Sequence, residues 1–372
     1  MIPIKSSKIT AAIFCVMLSG MTAATTFNPP IEFSETENRV LAQRPKAGLE
    51  DILSGKFESD YERYLADQFI FRNDWIGVKT HVERLLLKRE IKGIYLAEDD
   101  YLIERHAGIF TTDRAQSNAA TLARFVRRYQ KDFNEGHLSV IIVPNAANIL
   151  SDKLPPYAPS NGAEDYLNGI AASMPEGTWV DAARVLRAHA DEELYYRTDH
   201  HWKTLAAFYV YRAWAKERGY SSPERADYKV EAVSHEFEGT IQSKLGVRTK
   251  GDTLELFYPV TEIPFTVQGV LYDYPALQTK DKYAVFLGGN HALLHIRTEA
   301  GNERKILVIK DSYANCFMPF MLGDFREIDI LDLRYSRQRV SRLVAERGYT
   351  DLLILYNAAG FAEDTALDRL LF

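Results

Sequence analysis

The chain has 372 residues, of which 46% are apolar and 26% charged, and its net charge is −6. That length and balance suit a globular protein with ample core and exclude a disordered or fibrous chain. Basic residues are scattered rather than clustered, which argues against nucleic acid as a partner.

Lys5 and Lys8 precede a charge-free segment, Ile9 to Ile31, whose strongly apolar part is Ile9 to Met21. This is the pattern of an export signal or membrane anchor over residues 1–27. The flanking positive charge places the N-terminus inside and the rest outside the cytoplasm. Of the two cysteines, Cys15 lies in the apolar segment, so Cys316 has no disulfide partner in the exported body and reads as a packing residue.

Residues 28–105 read as a connector, helices and a hairpin that pack on a larger domain. Phe57 to Lys92 has helical periodicity with a break near Asn73, and Gly93 to Glu104 alternates like a hairpin. Residues 106–372 read as an α/β domain. A helix pattern (Leu122, Phe125, Val126, Tyr129) leads into the apolar run Leu138 to Val143. Similar runs recur at Ile306 to Ile309, Ile328 to Leu331 and Leu352 to Tyr356, with a helix pattern from Arg337 to Arg347. Continuous apolar strands alternating with helices predict an open, mostly parallel sheet flanked by helices. The Gly-punctuated stretch Asp227 to Gln278 reads as a β-rich insertion beside that sheet, placed to roof a site.

Three constellations carry chemistry. Asp199-His200-His201-Trp202 puts a carboxylate and imidazoles at the start of a helix pattern, Thr204 to Lys216. Ser312 follows directly on the strand pattern Ile306 to Ile309, at the strand end where open α/β sheets bind ligands. A hydroxyl, a base to take its proton and a carboxylate to orient the base are the parts of a nucleophilic hydrolase or acyltransferase. Spacing alone leaves open whether His200 or His201 is the base, and Trp202 would wall the site. Gly288-Gly289-Asn290-His291, after the strand-like Tyr283 to Phe286, offers backbone and amide donors for an oxyanion, with Gly289 and Asn290 as candidates; Asn145 and Asn357 are rival donors at the ends of other strands. Asp199, His200 and His201, with His291, also permit a metal reading, which the adjacent histidines disfavour.

Four stretches together resemble the DHHW family of exported bacterial proteins: Phe33-Ser-Glu-Thr-Glu-Asn-Arg39, Tyr196-Arg-Thr-Asp-His-His-Trp202, Gly288-Gly-Asn-His291 and Lys310-Asp-Ser-Tyr-Ala-Asn315. That family is similar to the alginate O-acetyltransferases of the AlgX/AlgJ group and to SGNH hydrolases. The resemblance implies an SGNH-hydrolase-like α/β fold with Asp199 as orienting acid, His201 as base and Ser312 as nucleophile, and it needs no cofactor or metal. It implies an O-acetyltransferase or acetylesterase acting on a carbohydrate polymer, with an acetyl donor or a donor-delivering membrane protein as partner. The serine motif, Lys-Asp-Ser-Tyr, departs from the Gly-Asp-Ser of the hydrolases. The short tail after Leu352 to Tyr356 leaves no appended carbohydrate-binding module, so the expected polymer is a cell-wall or capsular glycan rather than alginate. A glycan-binding or assembly scaffold and a metal-dependent hydrolase are the competing readings.

Overall fold

The structure, a computed structural model, describes residues 4–34, 39–134, 137–247 and 249–371. Glu35 to Asn38, from the first stretch of the family resemblance, lie outside the described residues. The chain divides into two compact units, Met1–Lys88 with Ser243–Val247, and Arg89–Gln242 with Arg248–Phe372.

The first unit is helical. Helix α1 (Ile4–Phe27) contains Lys8–Phe27, long and apolar enough to cross a membrane and almost wholly exposed. The periodic stretch from Phe57 forms two helices, α2 (Lys56–Gln68) and α3 (Arg72–Leu85). They separate at Phe69 to Phe71, slightly before the expected break, because Phe71 takes a left-handed φ of 56° that no helix can continue through. One side of α3 is buried at Gly77 and Thr80. Thr80 Oγ1 donates to the Leu245 carbonyl at 2.6 Å, and a side chain at Gly77 would meet the Gly246 carbonyl at 2.6 Å.

The second unit is built on a six-stranded sheet. Its strands are β1 (Leu138–Val143), β2 (Phe265–Val267), β3 (Leu293–Thr298), β4 (Lys305–Lys310), β5 (Glu327–Leu331) and β6 (Asp351–Asn357), in the order β1-β6-β4-β5-β3-β2. The four apolar runs pair in parallel, as expected, while β3 and β2 are antiparallel. Alternate residues of the central strands enter two cores. Val308, Leu353 and Leu355 face one, with Phe208, Tyr211 and Trp214 of α5 (Thr204–Arg218). Leu307, Ile309 and Ile354 face the other, with Leu122, Phe125 and Val126 of α4 (Asp113–Tyr129) and Leu343 of α6 (Val340–Arg347). Burial on both faces is why these strands show no polar alternation. The outcome is an open, mostly parallel α/β layer structure, as expected.

Three local expectations are corrected. The hairpin at Gly93 to Glu104 exists but gains a third strand, Glu90–Ile91. The insertion holds an antiparallel hairpin, Tyr228–Phe237 with Asp252–Pro259, yet its segment Phe265–Val267 is not a roof; it extends the main sheet through Val267 opposite Ile296. Tyr283 to Phe286 is not a strand: Lys282–Val285 forms a 3₁₀ turn, and only an isolated antiparallel bridge, Phe286 opposite Tyr272, follows it.

Leu353 lies at the centre of β6, fully buried between β1 and β4. Leu353→Ala is expected to cost about 2–5 kcal/mol of stability, read as a lowered unfolding temperature of the full-length protein in detergent. An unchanged transition would contradict this placement.

Candidate active site

The Asp-His-His-Trp loop is closed by a two-residue bridge. Tyr195 pairs antiparallel with Trp202, Lys203 N–H donates to Leu194 at 2.8 Å, and Tyr196 N–H donates to His201. Neighbouring residues in extended backbone point to opposite sides, so Trp202 and His201 diverge. Trp202 is fully buried and its indole N–H donates to the Tyr313 carbonyl at 2.9 Å, with its ring stacked on Tyr313 and Phe317. It is therefore a core anchor beneath the serine segment rather than the wall expected from sequence. The ring that stacks on His201 is Tyr283, centroids 3.8 Å apart and nearly coplanar. A buried Asp252, opening the second hairpin strand, fixes the loop from behind by accepting from Arg197 N–H, Thr198 N–H and Thr198 Oγ1.

Asp199, His201 and Ser312 form one hydrogen-bonded chain. His201 Nδ1 lies 2.6 Å from Asp199 Oδ1, and His201 Nε2 lies 2.8 Å from Ser312 Oγ. The carboxylate makes Nδ1 the protonated nitrogen and leaves Nε2 to accept the serine proton. Asp199 accepts further from His201 N–H at 3.0 Å and from Thr240 N–H and Oγ1 at 2.9 and 3.1 Å. Gly239 is pressed against it: a Cβ there would sit 2.2 Å from the Asp199 Cβ. His200 stands aside, half-exposed, with Nδ1 2.9 Å from Thr240 Oγ1.

Ser312 is half-buried where β4 passes into the 3₁₀ turn Ser312–Cys316. Asp311 caps that turn by accepting from Tyr313 N–H at 2.9 Å, and also takes Asn357 N–H and Nδ2 at 2.8 and 2.6 Å. Asn145 donates to Asn357 Oδ1 and accepts from Ala359 N–H at 2.8 Å. These two asparagines thus brace Asp311 and are not rival oxyanion donors. Gly289 is corrected too, because its N–H donates to the Phe286 carbonyl at 3.1 Å. Asn290 keeps its donor. Lys310 Nζ donates to Asn290 Oδ1 at 2.8 Å and to Asn315 Oδ1 at 2.7 Å. A lysine has no acceptor, so the Asn290 amide oxygen must face it and the NH₂ must face away.

Burial sets the electrostatics. The His201 imidazole is pushed down to about 4 by burial and by His200, against the pull of Asp199. Burial pushes the Asp199 carboxyl up, but His200, His201 and the Thr240 N–H outweigh it and hold it well below the usual range. Asp311 is pushed up to about 6 and Lys310 down to about 8, both chiefly by burial. The buried Cys316 thiol is pushed up to about 12, which fits packing rather than nucleophilic chemistry.

Asp199, His200 and His201 are also the group of described residues able to gather ligand atoms within 4.8 Å of one another. Both Asp199 oxygens and both His201 nitrogens are already engaged, and the fourth ligand expected from sequence, His291, is turned to the Leu287 carbonyl at 2.7 Å. The geometry fits a proton-transfer chain better than a metal centre.

Residues 178–331, which include the Asp-His-His-Trp loop and Ser312, match the DHHW protein family. The chain carries a DHHW region. No curated protein matches it. Among solved structures it is similar to a DHHW family protein from Eubacterium siraeum, at 25% identity and a TM-score of 0.62 over 75% of this chain and 95% of that one. It is similar also to Bacillus cereus PatB1 with a sulfonyl adduct, at 22% identity and 0.60 over 73% and 96%. A weaker likeness, 14% identity and 0.46 over 73% and 93%, is to the O-acetyltransferase domain of Pseudomonas putida AlgJ.

The DHHW loop histidine should titrate abnormally. The His201 ring proton signals are expected to shift with a midpoint near pH 4, far below an ordinary histidine, and His200→Ala should raise that midpoint by removing a like charge. A wild-type midpoint at pH 6 or above, read by NMR, would refute the buried, neutral imidazole.

Proposed function

We propose that this protein is an extracytoplasmic O-acetyltransferase or acetylesterase acting on a cell-envelope or extracellular polysaccharide through Ser312, His201 and Asp199. The observation that carries the reading is the unbroken hydrogen-bond chain from Asp199 through His201 to the Ser312 hydroxyl. His201 Nε2 takes the Ser312 proton as Oγ attacks an acetyl carbonyl, and Asp199 stabilises the imidazolium that forms. The tetrahedral oxyanion is held by the Ser312 N–H and the Asn290 amide, donors of a kind worth about 10²–10³-fold each. Collapse expels the donor alcohol or thiol with the proton from His201 and leaves acetyl-Ser312. A sugar hydroxyl, deprotonated by the same imidazole, then accepts the acetyl group, or water does so in hydrolysis.

The polymer as substrate and the acetyl-donor partner come with the family likeness, in keeping with the likeness to the acetyltransferase group. Export, and anchoring of the chain in the cytoplasmic membrane, rest on helix α1 with Lys5 and Lys8 before its apolar stretch. The low-lying His201 suits a base that is neutral, hence competent, across the physiological range.

Turnover of p-nitrophenyl acetate should fall at least about 10³-fold in both Ser312→Ala and His201→Ala. A sulfonyl fluoride should modify Ser312 in the wild type, seen by peptide mass spectrometry. Activity that survived Ser312→Ala and vanished with a chelator would replace this mechanism with a metal-dependent one. Glycan binding without any turnover would favour a scaffold.

Gly239→Ala tests the geometry separately. Pushing Asp199 aside by the missing space should cost about 10²-fold in kcat while circular dichroism stays unchanged. Wild-type kcat in that variant would argue that Asp199 placement is immaterial to the reaction.

A further inference from the structure

Helix α3 shows an apolar stripe with nothing of the described chain upon it. Phe71 caps the helix, and Trp75, Val78, Val82 and Leu85 recur within it every three or four residues, which puts those four on one face. In that order the five are 66%, 44%, 53%, 49% and 81% exposed. Gly77 and Thr80 lie on the opposite face, against the Leu245–Gly246 backbone. The helix is thus held from one side and leaves a second apolar side uncovered, an arrangement that marks an interaction surface.

The surroundings of this face within the first unit say what covers it. The turn into α3 is tied to the end of the apolar helix α1 and to the residues just after it. Ile70 N–H donates to Thr25 Oγ1 at 3.3 Å, while Gln68 exchanges two hydrogen bonds of 2.8 Å with the Ile31 backbone. If α1 crosses the bilayer, its end at Phe27 marks the level where the chain leaves the hydrocarbon, and α3 starts beside that level. Trp75 sits one turn into the stripe, and Trp is the residue that prefers this depth. Along Arg72 to Lys88, the cations Arg72, Lys79, Arg84 and Lys88 outnumber the anions Asp74 and Glu83, a balance that suits anionic headgroups.

We propose that α3 lies along the membrane surface, with Trp75, Val78, Val82 and Leu85 seated at the boundary between headgroups and acyl chains of the bilayer that α1 crosses. The proposal rests on the anchor reading of α1 and adds to it a second, parallel-lying contact. Its role is to fix the first unit against the bilayer, where a single crossing helix would leave it free to swing.

The test uses full-length protein reconstituted in phosphatidylcholine–phosphatidylglycerol vesicles. Trp75 emission is taken as the difference between wild type and Trp75→Phe. Lipids brominated near the headgroup end of their acyl chains should quench that emission, and aqueous iodide should not. In Val78→Asp/Val82→Asp the pattern should reverse while the protein still floats with the vesicles, because α1 carries flotation. Wild-type protein that floats but shows Trp75 open to iodide and untouched by bromolipid overturns the proposal and leaves the anchor standing. Shielding from both quenchers overturns it in favour of a protein partner on the stripe. Wild-type protein that does not float overturns the anchor reading and this proposal together.

Discussion

A carboxylate removed from water takes up a proton unless enough donors replace the lost solvent. Asp199 is buried and surrounded by four donors, two from His201 and two from Thr240. Those donors come from separate segments, so the carboxylate joins the Asp-His-His-Trp loop to the turn after the Tyr228–Phe237 strand. The constraint propagates outward. Thr240 can approach only because Gly239 has no side chain to strike Asp199. The loop can hold its shape only because Asp252, buried in turn, collects the Arg197 and Thr198 donors. An ionised Asp199 is what makes Nε2 the free nitrogen of His201, so the chemistry proposed at Ser312 depends on hydrogen bonds made far from it.

The serine side follows a similar rule with different parts. Strand β4 delivers Lys310, Asp311 and Ser312 in succession, and only the third faces the histidine. Asp311 is satisfied by Tyr313 and Asn357, and Lys310 by Asn290, Asn315 and an ion pair with Asp332 at 3.6 Å. Burial opposes both charges, shifting one up and the other down, yet removal of either partner set would leave a buried group unsatisfied. This pins the turn that carries Ser312 and fixes which end of the Asn290 amide is available. The serine is thus flanked by a rigid polar frame on strands β4, β5 and β6, and its hydroxyl is left to meet His201.

Much of this was legible in the residues, and the failures have physical causes. The four apolar runs announced the central strands because burial on two faces erases alternation. Asp199, His201 and Ser312 were nameable as parts, but no local pattern could bring two segments 111 residues apart to 2.8 Å; the family resemblance supplied that pairing. Trp202 was misread as a wall because aromatic character says nothing about direction, and alternation along the extended loop turned it into the core. Tyr283 was hidden inside four apolar residues that looked like a strand. Asn145, Asn357 and Gly289 were counted as free donors because sequence shows a donor without its partner. Each proved to be spent on another backbone or side chain. Thr240, Gly239 and Asp252 gave no signal of their own, since a threonine, a glycine and an aspartate in a polar hairpin are ordinary surface composition.

The same accounting separates the serine reading from its metal rival. A cation held by Asp199, His200 and His201 would need lone pairs on Asp199 and on His201. On Asp199 those are directed at Thr240 and at His201 itself, and the outward nitrogen of His201 is directed at Ser312. Metal binding would therefore orphan the Thr240 N–H and reverse the imidazole, and it would gain only one additional ring, the half-exposed His200. Unpaired buried donors cost roughly 1–3 kcal/mol each, and the Tyr283 ring stacked on His201 opposes the rotation. The serine chain requires no such rearrangement: His201 Nδ1 already lies on Asp199 and Nε2 on the Ser312 hydroxyl. The local fold thus sets the imidazole against a hydroxyl, and His200 stands at the rim with Nδ1 2.9 Å from Thr240 Oγ1 and 3.6 Å from Asp199 Oδ1.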